Sequence, residues 1–240
     1  MRRMFLMMAL SAPFLAGCGL PAPTVQSDSA SGGLSGVTPA AQEAARNFTE
    51  VSRAVGGAAT QECRRRTTDT NCSFLIQVDP DPRAPANAFQ TIDDSGRPVI
   101  IFTAAMVVTA RNIDELAFVM GHETAHHIAD HLDRQAVNAA ASAAVFAGLA
   151  ELTGGSARDV SKAEELGAVV GARSFSKEFE LEADRLGTVI THRAGYDPLK
   201  GAQFFARIPD PGNRFLGTHP PNAARMEVVR QTARELGLSP

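Results

Sequence analysis

The stretch GHETAHHIADH, residues 121–131, contains four histidines and one glutamate. Within it His122, Glu123 and His126 match the pattern HExxH. On an α-helix, residues four apart are rotated by only about 40° and separated by about 6 Å of rise, so both imidazoles can reach one metal ion. Glu123 lies about 100° from His122, close enough to contact a water at the metal without being a ligand. The spacing predicts two metal ligands and one general base.

The other two histidines fall on other faces of the same helix. His127 lies about 140° from His122, and His131 about 180° from it. We therefore interpret His127 as a flanking or surface residue and His131 as a packing or hydrogen-bonding histidine. A metzincin would require HExxHxxGxxH, but Ala129 and Leu132 occupy the glycine and third histidine positions, so that class of protease is excluded.

A catalytic zinc takes three protein ligands, so one more residue has to come from elsewhere in the chain. The richest downstream carboxylate cluster is FSKEFELEADRLG, residues 175–187. On its helix Glu180 and Asp184 share one face, and Glu182 lies on another. Periodicity alone does not choose between these faces. Small residues beside Glu180 and Asp184 would permit close helix approach, which slightly favours Glu180.

Four motifs in a fixed order resemble one metallopeptidase family. HETAH is followed by SFSKEFELEAD, by GYDP, and by THPP with a later arginine. Over roughly residues 73–237 this order is similar to that of the gluzincin metallopeptidases that include HtpX, Oma, BepA and the CAAX prenyl endopeptidase. The resemblance implies a zincin-like minigluzincin core with a small β-sheet next to the HExxH helix, and one zinc ion per chain.

The resemblance also assigns residues outside HExxH. It makes Glu180 the third zinc ligand and Asp184 the carboxylate that orients a ligand histidine, a contact that raises ligand basicity. It places His219, of THPP, and Arg225 near the active site. His219 would either stabilise the developing oxyanion or occupy the open zinc position in a resting state. One segment departs from the family pattern, because QTIDDSGRPVIIF follows Asn87-Ala88-Phe89, so the shape of the substrate cleft does not carry over.

The N-terminus has the layout of an export signal, with two arginines before an apolar run too short to span a membrane. The run ends in LAGC, which resembles the lipobox of bacterial lipoproteins, where cleavage before the cysteine leaves it acylated. We therefore predict a signal peptide over 1–17, a lipidated Cys18 with a flexible tether over 18–38, and a single metallopeptidase domain over 39–240. The expected location is the periplasmic face of the outer membrane.

Lipidation of Cys18 leaves Cys63 and Cys72 as an even pair in an oxidising compartment, and we predict that they form a disulfide. The alternative is a two-cysteine metal site, but no histidine or third cysteine lies close by in sequence.

Periodicity predicts an α+β fold that is mostly helical. The first helix starts near Pro39, with Thr38 as N-cap and Gly56-Gly57 as its stop. After the strands the chain becomes almost entirely helical, and we interpret its Ala-rich segment as a closely packed helix that does not cross a membrane. The strands are expected at 73–78, 87–89 and 98–102, and the helices from Asp114 through Leu152, then around 157–170, 175–193, 198–207 and 221–237.

These features predict a zinc-dependent metalloendopeptidase that hydrolyses peptide bonds in unfolded or misassembled cell-envelope proteins. The strand residues Val99, Ile100, Ile101 and Phe102 are expected to bind an extended polypeptide by strand addition. The partners are polypeptides and, through the lipid, the membrane; a net charge of -3 gives no indication of nucleic acid. The alternative is a lipid-anchored, chaperone-like binding module with a structural zinc, although such a site would not need Glu123 as a base.

Overall fold

A computed structural model describes residues 38–174, 176–212, 214, 217 and 219–238. This part of the chain is mostly helical with a three-stranded sheet, as predicted. The export signal, Cys18 and the tether up to residue 37 lie outside the described residues. The elements are α1 (Pro39–Arg66), β1 (Leu75–Asp79), β2 (Ala88–Ile92), β3 (Pro98–Thr103), α2 (Ala104–Thr109), α3 (Ile113–Ile128), α4 (His131–Leu152), α5 (Ala157–Ser174), α6 (Ser176–Arg193), α7 (Pro198–Gly201), a 3₁₀ turn (Ala202–Ala206) and α8 (Asn222–Glu235).

Helix α3, which carries HExxH, lies at the centre of the domain. It packs against α1, α6, α7 and the sheet, and most of its residues from 115 to 128 are buried. Its N-cap is Asn112, whose side chain accepts a hydrogen bond from the Glu115 N–H at 2.9 Å. The predicted cap, Asp114, instead accepts from the backbone N–H of Asp197. A helix buried on nearly all sides holds its metal-binding face in one fixed orientation.

The predicted continuous helix through residue 131 is wrong, because the chain breaks between α3 and α4. Asp130 has φ of 57° and adopts the left-handed conformation, alone among the described non-glycine residues. Aspartate reaches that conformation at lower cost than most residues. The break turns the chain before His131, so the helical-wheel angle that placed His131 on the far side does not apply.

The sheet has the order β1-β3-β2, with β1 parallel and β2 antiparallel to β3. The prediction that residues 99–102 take up substrate by strand addition is therefore wrong. Ile100 pairs with Ile76 on one side and Gln90 on the other, so both backbone edges of β3 are occupied. The described residues place no strand against the outer edge of β2.

The segment that departs from the family pattern forms a compact hairpin turn between β2 and β3. The Asp93 carboxylate accepts hydrogen bonds from the backbone N–H groups of Ser95 and Arg97 at 2.9 and 3.0 Å. Gly96 has φ of 77°, a conformation that glycine adopts without steric cost. The turn thus connects β2 to β3 as an antiparallel pair, and β2 lies at the edge of the sheet because only β3 pairs with it among the described strands.

Helix α1 begins at the predicted N-cap, where the Thr38 hydroxyl accepts from the Ala41 N–H. It does not stop at Gly56-Gly57 but continues to Arg66, because its buried face packs into the core and overrides the weak helix propensity of glycine. Cys63, in the last turn of α1, forms the predicted disulfide with Cys72 in the loop that follows the helix, with Cα atoms 5.7 Å apart. A loop this short stabilises the fold by roughly 2 to 3 kcal/mol.

The Ala-rich helix α4 packs closely against α5, as predicted. A Cβ at Gly171 would lie 2.2 Å from the carbonyl oxygen of Asn138, and one at Gly167 would lie 2.5 Å from that of Ser142. Only glycine permits backbones to approach this closely. Within the described ranges, every helix is too short or too polar to cross a lipid bilayer.

Candidate metal centre

Three side chains converge in the way that a metal ion requires. The Nε2 atoms of His122 and His126 lie 3.0 Å apart, and the carboxylate oxygens of Glu180 lie 3.6 Å from the first and 3.4 Å from the second. Ligands about 2.0 to 2.2 Å from a tetrahedral zinc lie about 3.3 to 3.6 Å from one another. The two distances to Glu180 fall within this range and the two imidazole nitrogens lie slightly closer together, so the three side chains surround a position that fits a zinc ion.

The third ligand reaches the HExxH helix because the backbones of α3 and α6 come very close at Gly121 and Gly187. A Cβ on Gly121 would lie 2.9 Å from the Gly187 carbonyl oxygen, and one on Gly187 would lie 2.9 Å from the His122 nitrogen. Glycine at both positions lets the two backbones touch. The crossing places Glu180 and Asp184 of α6 beside His122.

An aspartate and an arginine hold the first ligand in place. His122 Nδ1 lies 2.9 Å from Asp184 Oδ1, and Arg225 donates to both Asp184 oxygens at 2.7 Å. The Arg225 guanidinium lies over the Phe205 ring, 3.9 Å from its centroid. Because a carboxylate only accepts hydrogen bonds, the proton of a neutral His122 sits on Nδ1 and its Nε2 lone pair faces the metal position.

The second ligand has a different neighbour. His126 Nδ1 lies 2.8 Å from His131 Nδ1, and His131 Nε2 lies 3.2 Å from Glu182 Oε2. Arg134 donates to the same Glu182 oxygen at 2.8 Å. Glu182, which the sequence left as an alternative to Glu180 for the third ligand, thus belongs to a hydrogen-bonded chain that starts at the Nδ1 of His126.

The two extra histidines of the opening stretch are both buried. His131 is a packing and hydrogen-bonding histidine as predicted, stacked on the Phe179 ring with centroids 4.7 Å apart. The surface alternative for His127 is wrong: its Nε2 bonds the Asn71 carbonyl oxygen at 2.8 Å, and its ring meets Phe74 edge-on.

His219 and Glu123 complete the described site. His219 Nδ1 lies 3.1 Å from Glu180 Oε2, and its side chain is 54% exposed. Both residues line two adjoining cavities of about 220 and 340 Å³, and the larger one has an apolar wall that includes Phe204, Phe205 and Ile208. The site therefore combines metal-binding groups, a carboxylate base, an imidazole that can donate a hydrogen bond, and a cavity that can hold a side chain of a ligand.

The charges around the ligands favour a cation at their centre. Burial opposes ionisation of Glu180 and Asp184, but hydrogen bonds from the histidines and from Arg225 hold the pKa of both carboxyls below the usual range. Burial likewise opposes a charged His122, yet its hydrogen bonds to the same two carboxylates raise its pKa to about 10. A proton or a metal ion at Nε2 satisfies the same field, so the two compete for it.

Two other groups are tuned in directions that suit catalysis and support. Burial raises the pKa of Glu123 above that of an ordinary glutamate, which makes it a better proton acceptor. Burial lowers the pKa of His131 to about 4. His131 is therefore a neutral imidazole near pH 7, able to donate through one nitrogen and accept through the other.

The structure brings together most, but not all, of the residues that the sequence singled out. Glu123 and Asp184 lie beside the three metal-binding residues, and His219 and Arg225 lie there too. The β3 residues instead form the central strand of the sheet. Sequence reasoning missed the chain from His131 to Arg134, because no helical wheel spans a break in the helix. The dipeptide before His131, Ala129-Asp130, gave the one local signal, since aspartate tolerates the left-handed conformation.

Comparison with known proteins gives one family match. The family described as Peptidase family M48 matches residues 45–233, a span that contains all of the site residues named above.

Individual relatives are also similar to this chain. The chain is 31% identical over 145 residues to the putative beta-barrel assembly-enhancing protease of Vibrio cholerae serotype O1, a match covering 55% of this chain and 30% of that protein. It is 28% identical over 159 residues to the beta-barrel assembly-enhancing protease of Escherichia coli strain K12, covering 57% and 31%. It is 30% identical over 162 residues to the mitochondrial metalloendopeptidase OMA1 of Saccharomyces cerevisiae, covering 63% and 45%. The chain matches a third to a half of the length of these relatives.

Proposed function

The chain belongs to peptidase family M48, and on that basis we propose that it is a zinc-dependent metalloendopeptidase acting on unfolded or misassembled proteins of the cell envelope. The observation that carries this proposal is the convergence of His122, His126 and Glu180 at ligand spacing, with Glu123 lining the same cavities. A purely structural zinc site is closed by four protein ligands. Here three ligands face a cavity that a substrate can enter.

The residues divide the chemistry among themselves. His122, His126 and Glu180 would hold a zinc ion, which would supply Lewis-acid chemistry toward the scissile carbonyl and would lower the pKa of water. Glu123 takes a proton from the attacking water while the oxygen of that water forms a bond to the carbonyl carbon. When the C–N bond breaks, Glu123 returns that proton to the leaving amine. The raised pKa of Glu123 suits both transfers.

His219 is proposed to stabilise the oxyanion that forms on the carbonyl oxygen. Among the described residues at the site, His219 is an exposed nitrogen donor, whereas Arg225 is buried and engaged with Asp184. The alternative, in which His219 rests on the metal before substrate arrives, uses the same position next to Glu180. A donor directed at developing negative charge is worth about 10²- to 10³-fold in rate.

The edge strand β2 is proposed to hold the substrate, in place of β3. Its residues Ala88 and Gln90 line the two cavities, and among the described residues no strand pairs with its outer edge. An extended polypeptide can pair with such an edge, whereas folded proteins present few free strands. This supports selection of unfolded segments.

Location in the envelope is proposed from two separate features. The lipobox-like LAGC supports a lipid anchor on Cys18, and the bacterial relatives are named for beta-barrel assembly. We propose that the lipidated chain stands on the periplasmic face of the outer membrane.

The decisive experiment compares wild-type protein with Glu123→Gln in digestion of unfolded casein. Wild type should cleave casein, lose activity to a chelator and regain it with Zn²⁺. Glu123→Gln should retain zinc and lose cleavage, because the amide cannot accept the water proton. If the variant digests casein as fast as wild type, the mechanism is wrong. If wild type binds casein and requires zinc to fold but never cleaves, the chaperone-like binding module is correct.

A further inference from the structure

The outer nitrogen of the second ligand, His126, faces an imidazole where ligand histidines ordinarily face a carboxylate or a carbonyl oxygen. His126 Nδ1 lies 2.8 Å from His131 Nδ1. We propose that His131 is a positioning residue for the metal, which fixes the orientation and the proton of His126 and is itself fixed by Glu182 and Arg134. This inference rests on the proposed function, because it concerns the ligand that would bind zinc.

The proton positions in this chain follow from the groups at its far end. Glu182 forms a salt bridge with Arg134 at 2.8 Å, so it is an ionised carboxylate that can only accept. His131 Nε2, at 3.2 Å from Glu182, must therefore carry the proton. Of the two facing Nδ1 atoms, one donates and the other accepts. His126 Nε2 lies with Glu180 and His122 at the metal position, where a ligand needs its lone pair, so His126 Nδ1 carries the proton and His131 Nδ1 accepts the hydrogen bond.

The fold holds His131 rigidly enough for this role. Its ring stacks on Phe179 at an interplanar angle of 12°, and its side chain is 4% exposed. Arg134 lies over the same Phe179 ring and also donates to the Ala129 carbonyl oxygen at 3.0 Å. The left-handed residue Asp130 turns the chain so that the first residue of α4 meets the last turn of α3. A backbone in a sparsely populated conformation next to a functional group is consistent with a constrained geometry.

The two ligand histidines thus have parallel supports. His122 donates to Asp184, which Arg225 holds. On the other side His126 donates to His131, and the chain continues to Glu182 and ends at an arginine. Both chains end in a guanidinium, so each ligand is tied to a fixed positive charge on another helix. The second chain is longer by one imidazole, and its acidic member is 46% exposed whereas Asp184 is fully buried.

The test measures zinc affinity of the full chain by competition with a chelator of known affinity, together with the visible absorption of the Co²⁺-substituted protein. His131→Phe keeps the stacking on Phe179 but removes the acceptor, and should weaken zinc binding about 10- to 100-fold and alter the Co²⁺ bands. His131→Asn places an amide oxygen near the former Nδ1 and should recover part of the affinity. His127→Phe is the matched control, since it removes another buried histidine of the same stretch that faces Asn71.

The outcomes separate this inference from the proposed function. Wild-type zinc binding and casein cleavage test the function, and failure of both would overturn function and inference together. If wild type binds zinc and cleaves, only the variants bear on His131. Equal zinc affinity and unchanged Co²⁺ bands in folded His131→Phe would overturn the positioning role. So would an equal loss in His127→Phe, because that result would trace the effect to general destabilisation. A loss in His131→Phe, partial recovery in His131→Asn and none in the control would support it.

Discussion

Replacing Gly187 with alanine should damage the metal centre through backbone packing alone. The added Cβ would lie 2.9 Å from the His122 nitrogen and 3.0 Å from its Cα. Carbon contacts are comfortable from about 3.5 Å, so α6 has to move away from α3 by about half an ångström. Neither obstructing atom belongs to a flexible side chain, and the displaced helix carries Glu180.

The expected cost can be worked out against a matched control. Overpacking costs about 1 to 3 kcal/mol, and the better helix propensity of alanine returns about 1 kcal/mol. Gly187→Ala should therefore lower the free energy of unfolding by about 0 to 2 kcal/mol. Gly57 lies in the middle of α1 at an exposed position, and a Cβ there would have no atom within 4 Å. Gly57→Ala should therefore raise the free energy of unfolding by up to about 1 kcal/mol. The difference between the two variants isolates the clash.

Two assays check this reasoning. Urea unfolding in the presence of a chelator gives the stability of each variant without contributions from zinc. Casein cleavage with zinc gives kcat/KM, which should fall about tenfold for Gly187→Ala, since misplacement by about 1 Å can cost 10²-fold. Gly57→Ala should cleave at the wild-type rate. If Gly187→Ala gains as much stability as Gly57→Ala and cleaves normally, the close crossing does not position the third ligand.

Two further predictions concern other parts of the chain. Asp184→Asn should weaken zinc binding about 10- to 100-fold by loosening His122, and it should destabilise the fold by about 3 to 5 kcal/mol because Arg225 loses its buried carboxylate partner. Chelator competition measures the first effect and urea unfolding the second. An unchanged zinc affinity would contradict the orienting role of Asp184. Cys18→Ser should move the protein from the membrane fraction to the soluble fraction of bacterial cells, as shown by fractionation and immunoblotting; continued membrane association of that variant would contradict lipid anchoring.

Local sequence predicted the groups that do the chemistry. HExxH sets two imidazoles and a carboxylate on one helix by its spacing alone, and this geometry survives folding because α3 is regular from Ile113 to Ile128. The disulfide also followed from the sequence, since counting cysteines needs no coordinates. Helix periodicity left two carboxylate faces of α6 open as the source of the third ligand, and the order of motifs chose Glu180.

Other predictions failed where the backbone departs from a regular element or where partners come from far away in sequence. The helical wheel misplaced His131 because it assumes a straight helix, and one left-handed residue, Asp130, invalidates that assumption. The role predicted for β3 failed because a strand's position in a sheet depends on its neighbours, which periodicity within the strand does not encode.

The amino-acid sequence establishes which atoms can bind a metal and which can move a proton, because those properties belong to residue types at fixed local spacing. Tertiary structure alone decided how these atoms are held. The glycine crossing of α3 and α6 brings the third ligand within range, Asp184 and Arg225 set the proton of His122, and the break before α4 turns His131 back onto His126. Contacts between elements depend on the path of the whole chain, whereas spacing within one helix does not.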